Sequence, residues 1–136
     1  MSDTPASPSG LRLDVLPGTY AVCRLPADAP IPVFPTSGAV RSITVTAHEI
    51  SIVCPESDAP VGAEVDGGWS ALYILGPVPF DLAGVLVSVL APLSGAGLGV
   101  FALSTYDSDV VLVRANVLER AASLLRAAGH TVRTAE

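Results

Sequence analysis

Leu82 to Leu103, LAGVLVSVLAPLSGAGLGVFAL, runs for 22 residues without a charged side chain. About 20 apolar residues suffice to cross a bilayer as a helix, so the reading of this stretch decides between a membrane span and a compact domain. Its internal punctuation favours the domain. Pro92 and the glycines at 95, 97 and 99 would break one continuous helix. Acids flank it, Asp81 on one side and Asp107 and Asp109 on the other, with no Lys or Arg to anchor an orientation. The run therefore predicts a core helix, a Gly-rich turn and a strand.

The helix pattern covers Phe80 to Gly97. Leu82, Val85, Leu86, Val89, Leu90 and Leu93 recur at the spacing of one helical face. Val87 and Ala91 lie off that stripe without any charge beside them, which predicts a packing partner for the opposite side. Upstream, WSALYIL (Trp69 to Leu75) reads as a strand stopped by Gly76-Pro77. Downstream, Leu98 to Ser104 and Val110 to Arg114 read as two strands around the polar turn TYDSD. Asn116 and Glu119 resemble a capping box opening a second helix. Val117, Leu118, Ala121, Leu124, Leu125 and Ala128 form its stripe, and Gly129 ends it. His130 to Arg133 makes a last strand. Residues 69–133 thus read β-α-β-β-α-β, the split βαβ or ferredoxin-like order of an antiparallel sheet with two helices on one face.

The first half is sparser. Leu11, Leu13 and Val15 alternate as in a strand, Pro17-Gly18 is a turn pair, and Thr19 to Leu25 is a second strand. Four prolines in residues 26–39 leave room only for a loop or a short helical turn. Val40 to Thr46 and Glu49 to Cys54 read as a hairpin with Ile43, Val45, Ile50 and Ile52 as core candidates. The acidic stretch 55–68 reads as a connector.

Composition narrows the function. The 136 residues are half hydrophobic, which allows one compact domain or two very small ones. Thirteen acids face seven bases, all arginine, for a net charge of −6. With no basic stripe, neither nucleic acid nor an anionic membrane is an expected partner. Cys23 and Cys54 lack C-x-x-C spacing and only two histidines are present, so no metal site is expected and the thiols read as buried and reduced. Residues 1–10, MSDTPASPSG, lack the regions of a secretory signal and read as a disordered lead-in to a cytoplasmic protein. No convincing Ser-His-Asp order, carboxylate pair or phosphate loop is present, and the glycines at 95, 97 and 99 do not form G-x-G-x-x-G. His48, in a hairpin turn, and His130, at a helix exit, read as solvated residues. No catalysis and no cofactor are expected.

Gly84-Val85 at the helix start, Leu90-Ala91-Pro92-Leu93 in its last turns and above all LSTYDSDVVLVRA (Leu103 to Ala115) resemble the second ACT module of the CASTOR-type amino-acid sensors and their small bacterial relatives. The resemblance covers residues 65–133 well and reaches LPGTYAVCRLP and SITVTAHEISIVCPE more loosely. It implies an α+β chain of tandem ACT-like (ferredoxin-like) modules: a lead-in at 1–10, a degenerate module at 11–64 and a full module at 65–134. It also implies regulation without catalysis, with a free amino acid or similar small molecule bound at an inter-module or inter-subunit interface of a homodimer. Ligand contacts carried over by the resemblance fall on Asp81, Ala83, Gly84 and Val85 in the helix's first turn, on Gly99 and Val100 at the next strand's start, and on Thr105, Tyr106, Ser108 and Asp109 in the polar turn. The helix positions after Gly84, VLVSV, hold no acid for a guanidinium, which argues against arginine as the ligand.

The residues give partial support of their own. A helix's first turn exposes backbone N–H groups and a partial positive charge suited to a carboxylate, and Gly84 permits close approach. Asp109 could pair with an ammonium group. Two other readings stay open at this stage: Gly84 as tight helix–strand packing, and STYDSD as a solvated hairpin turn. A ligand-free dimerisation module that docks on a metabolic enzyme is the alternative function.

Overall fold

The computed structural model describes residues 10–34, 40–75 and 84–134. The lead-in at positions 1–9, part of the Pro-rich segment and the first residues of the expected first helix lie outside them. Eight strands and two helices follow in the order β1 (Arg12–Val15), β2 (Tyr20–Leu25), β3 (Ser42–Val45), β4 (Ile50–Pro55), β5 (Glu64–Ile74), α1 (Val85–Gly95), β6 (Val100–Ser104), β7 (Asp109–Arg114), α2 (Leu118–Ala127) and β8 (Thr131–Thr134). They form two compact units. One is Gly18–Trp69; the other joins the chain up to Pro17 with everything from Ser70 onward. The architecture is α+β, with two ACT-like modules.

In the larger unit, α1-β6-β7-α2-β8 follow the last residues of β5, giving the βαββαβ order expected. β6 pairs antiparallel with β7, and β7 pairs with β5. The N-terminal strand adds a fifth member. β1 lies antiparallel to β5, Leu13 opposite Ile74, and parallel to β8, Arg12 opposite Thr131. The sheet is therefore mixed rather than wholly antiparallel, and β1 stands between the first and last strands of the motif. Period-two alternation sends Leu13, Val15, Leu72, Ile74, Val111, Val113 and Val132 to one face, where they meet Val89 and Leu93 of α1 and Ala121, Ala122 and Leu125 of α2. Val110 and Leu112 are fully buried as well, so β7 is covered on both sides, which explains its unbroken apolar sequence.

Both helices stop by the same device. Gly97 (φ +81°) and Gly129 (φ +97°) take the left-handed conformation after the last helical turn. Leu98 N–H then donates to Leu93 O and Gly97 N–H to Ser94 O, while His130 N–H donates to Leu125 O and Gly129 N–H to Arg126 O. These are paired Schellman bonds, and the apolar residue after each glycine or the ring of His130 folds back into the core.

The smaller unit has the strand order β3-β4-β2-β5, all antiparallel. Ala21, Cys23, Leu25, Ile50, Ile52 and Cys54 form its core under Ala29, Phe34, Ala59 and Ala63. No helix of α type occurs among its described residues.

Several expectations need correction. Residues 64–68 are strand, not connector: Glu64 lies opposite Arg24 and Asp66 opposite Val22, so the acids sit on an exposed strand face. Ile43 and Val45 are 36% and 54% exposed, because β3 is an edge strand and only its partners Ile52 and Ile50 are covered. Asn116 does not cap α2; it falls in a 3-10 turn, Ala115–Val117, that leads into the helix without a side-chain cap. Ala128 is exposed, and Ala122 takes its place in the stripe. His130 is 4% exposed, not solvated.

Candidate functional site

The start of α1 is built on a glycine for a backbone reason. Gly84 has φ +83°, a conformation that costs an L side chain about 1–2 kcal/mol. It directs the chain into a helix with no described side-chain cap and no acid in the first turn. The leading N–H groups of that turn have no carbonyl four residues back within the helix, and they carry its positive dipole end. Ser88 closes the turn twice: its N–H donates to Gly84 O at 2.8 Å and its hydroxyl to Val85 O at 2.7 Å. Val85 itself is buried, facing the core.

The β6–β7 turn shares that end of the unit. Residues 96–99 reverse the chain between α1 and β6. At about 1.5 Å per helical residue and 3.3 Å per strand residue, both elements run about 16 Å. The turn closes on itself: Thr105 N–H donates to Ser108 O at 2.7 Å, and Ser108 N–H donates to Thr105 Oγ1 at 3.1 Å. Ser108 is buried beneath it, while Tyr106 is 81% exposed. The Ser104 hydroxyl donates to Oδ1 of Asp109. Oδ2 has no partner among the described residues.

By chain direction, the start of α1, with Gly84 and Val85, and the β6–β7 turn, with Thr105, Tyr106, Ser108 and Asp109, lie toward the same end of the larger unit. Gly99 and Val100 sit beyond the C-terminus of α1, a helix length away. Asp81 and Ala83 lie outside the described residues. Sequence reading missed Ser104, the partner of Asp109, whose signal was its place opposite Asp109 in any hairpin closed by TYDS. It also missed His130 and the bracing role of Ser88. The only hint there was Pro92, four residues on, which cannot supply the N–H that Ser88 O would otherwise accept.

Other chemistry is sparse. Among the described residues, no group of three or more His, Cys, Asp or Glu could hold a metal ion, and no helix is long and apolar enough to cross a membrane. Cys23 and Cys54 are free and buried. Burial, and then the neighbouring Cys23, pushes the Cys54 thiol up to about 12, and burial also raises Cys23. Neither is a nucleophile at neutral pH. Burial likewise raises the Tyr20 phenol, which accepts the Val40 N–H at 3.2 Å. The smaller unit has a cavity of about 220 Å³ lined by Arg24, Ser51, Glu49, Glu64 and Asp66, none of them among the expected site residues.

Residues 64–127 match a family model described as the ACT domain, and residues 18–61 match a model of an N-terminal domain. A crystal structure of an Agobacterium tumefaciens protein is similar over 95% of this chain and 96% of its own, at 42% identity and a TM-score of 0.86. A Vibrio cholerae protein of unknown function (15% identity, 88% and 91% of the two chains, TM-score 0.66) and the regulatory subunit of aspartate kinase from Thermus flavus (12%, 90% and 99%, 0.57) share the fold. No curated protein matches the sequence.

Proposed function

The chain belongs to the ACT-domain proteins, and on that premise we propose that it is a non-catalytic regulator of the CASTOR-like kind, binding a free amino acid or a similar small zwitterion. The observation that carries the reading is the start of α1: an uncharged helix entered through a left-handed glycine, without a described side-chain cap. The first-turn N–H groups receive the ligand carboxylate. Oδ2 of Asp109 takes its ammonium group, and Thr105, Ser108 and Tyr106 border it. The same proposal gives contacts to Asp81 and Ala83, which precede Gly84 in the sequence. Gly99 and Val100, at the far end of α1, join the site from a second copy of the chain, which makes the protein a homodimer. Ligand then shifts a conformational or oligomeric equilibrium by its differential affinity for the two states.

A thermal-shift screen against each proteinogenic amino acid tests this. A ligand at a hundred times its dissociation constant adds about 2.7 kcal/mol of stability. Asp109→Ala should abolish the shift while leaving the unliganded melting curve within about 1 kcal/mol of wild type.

One observation favours a second reading, an association module without ligand. Val87 is 61% exposed and Ala91 is exposed on a helix with no charged residue. Self-association that persists while no amino acid shifts the melting curve would select it.

A further inference from the structure

His130 joins two parts of the larger unit that are far apart in sequence. Its backbone is fixed by the Schellman turn after α2, and its ring is 4% exposed. Nδ1 accepts the Leu11 N–H, one residue before β1, at 3.3 Å. An imidazole nitrogen that accepts an amide N–H carries no proton, so the ring is the Nε2–H tautomer. Nε2 then donates to the carbonyl oxygen of Ser88 at 3.0 Å. That carbonyl is the one Pro92 leaves without its intrahelical donor. A buried carbonyl without a partner is costly, and the imidazole supplies the partner.

The contact continues into the helix start. Ser88 N–H holds Gly84 O, and the Ser88 hydroxyl holds Val85 O. An unbroken set of hydrogen bonds therefore runs from the backbone of the N-terminal strand, through one imidazole, to the first turn of α1. We infer that His130 is a positioning residue that couples the docking of β1 to the conformation of the Gly84–Ser88 turn, and thereby regulates the small-molecule site at that turn. The last clause rests on the function proposed above; the coupling does not. Release of β1 withdraws the Leu11 N–H, frees the ring, and leaves the Ser88 carbonyl unpaired.

Amide hydrogen exchange on the full chain, without ligand, tests the coupling. His130→Phe retains an aromatic ring and removes both bonds. It should speed exchange at the Leu11 and Ser88 amides about tenfold beyond any change at Leu112 in the core of β7, which reports global opening. Two further variants separate the nitrogens. His130→Gln, whose amide reaches the position of Nε2, should protect Ser88 and leave Leu11 fast. His130→Asn, whose carbonyl matches Nδ1, should do the reverse. Equal acceleration at Leu11, Ser88 and Leu112 in His130→Phe would mean that His130 supports only global stability, and identical patterns in the Gln and Asn variants would mean that the two bonds are not separate arms; either result overturns the coupling. A thermal-shift screen of the wild type with each proteinogenic amino acid that found no binder would sink the proposed function and leave the exchange result standing.

Discussion

Glu56 holds Gly68 in place across the smaller unit: Oε1 of its carboxylate accepts the Gly68 N–H, while Oε2 accepts the Thr19 hydroxyl at 2.9 Å. The contact lies where β2 shifts register against β5, between Tyr20 and Val22. Gly68 is left-handed there, at φ +78°. A Cβ on Gly67 would run into Oε1, so the glycine leaves room for the carboxylate beside the bulge. Glu56→Ala, which removes both bonds, should cost about 1–3 kcal/mol in urea unfolding, and Glu56→Gln less. An unchanged midpoint for the alanine variant would show that the carboxylate does not hold the bulge.

Gly95 and Gly97 are two positions apart and should respond in opposite directions. A Cβ meets nothing within 4 Å at either site, so only the backbone decides. Gly97 is left-handed, and Gly97→Ala should destabilise by about 1–2 kcal/mol. Gly95 is in the last helical turn, and Gly95→Ala should stabilise by about 0.5–1 kcal/mol. Melting temperatures that move together would contradict this account of the helix end.

Pro92→Ala isolates the partnership between Ser88 and His130. An uncompensated proline inside a helix costs about 3 kcal/mol relative to alanine. Because the imidazole already serves the Ser88 carbonyl, the substitution should gain only about 1 kcal/mol. A gain near the full value would show that the His130 contact contributes nothing.

The thiols set an alkaline limit. The Cys54 thiol, ordinarily near 9.0, is pushed up to about 12 in the fold, first by burial. Between those values the native state keeps a proton that the unfolded chain has lost. The contribution is therefore fully present below the lower value and declines as pH rises toward the upper one, by on the order of 1 kcal/mol per pH unit. Urea midpoints measured on either side of pH 9.0 should fall with pH in wild type. They should fall less steeply in Cys54→Ser, whose hydroxyl does not titrate in this range.

Periodicity made most of the larger unit readable. The stripes of α1 and α2 and the alternation in β1 point to the faces they bury, because burial on one side is what those patterns encode. Local signals failed where a distant partner decided the outcome. Asn116 has a good capping residue type, yet a 3-10 turn stands there. His130 looked like surface because its helix ends at it, but its two partners are 119 and 42 positions away. Ile43 and Val45 alternate like core residues, and only their edge position leaves them uncovered. At the candidate site, Gly84 and the TYDS turn were legible from their residue types. The separation of Gly99 and Val100 from them follows from the length of α1, which a motif does not convey.

The insertion of β1 between β5 and β8 imposes an order on biosynthesis. Arg12 leaves the ribosome before any residue of the smaller unit, yet its parallel neighbour is Thr131. The smaller unit can close on itself early, since its strands all lie within Gly18–Trp69 and the adjoining part of β5. Its edge toward β5 can pair once Ile74 is made, but its edge toward β8 must wait until translation has delivered the final strand. Such a distant closure slows folding, and during the wait the free edge of β1 that β8 will cover is open to capture by a chaperone or by a neighbouring nascent chain.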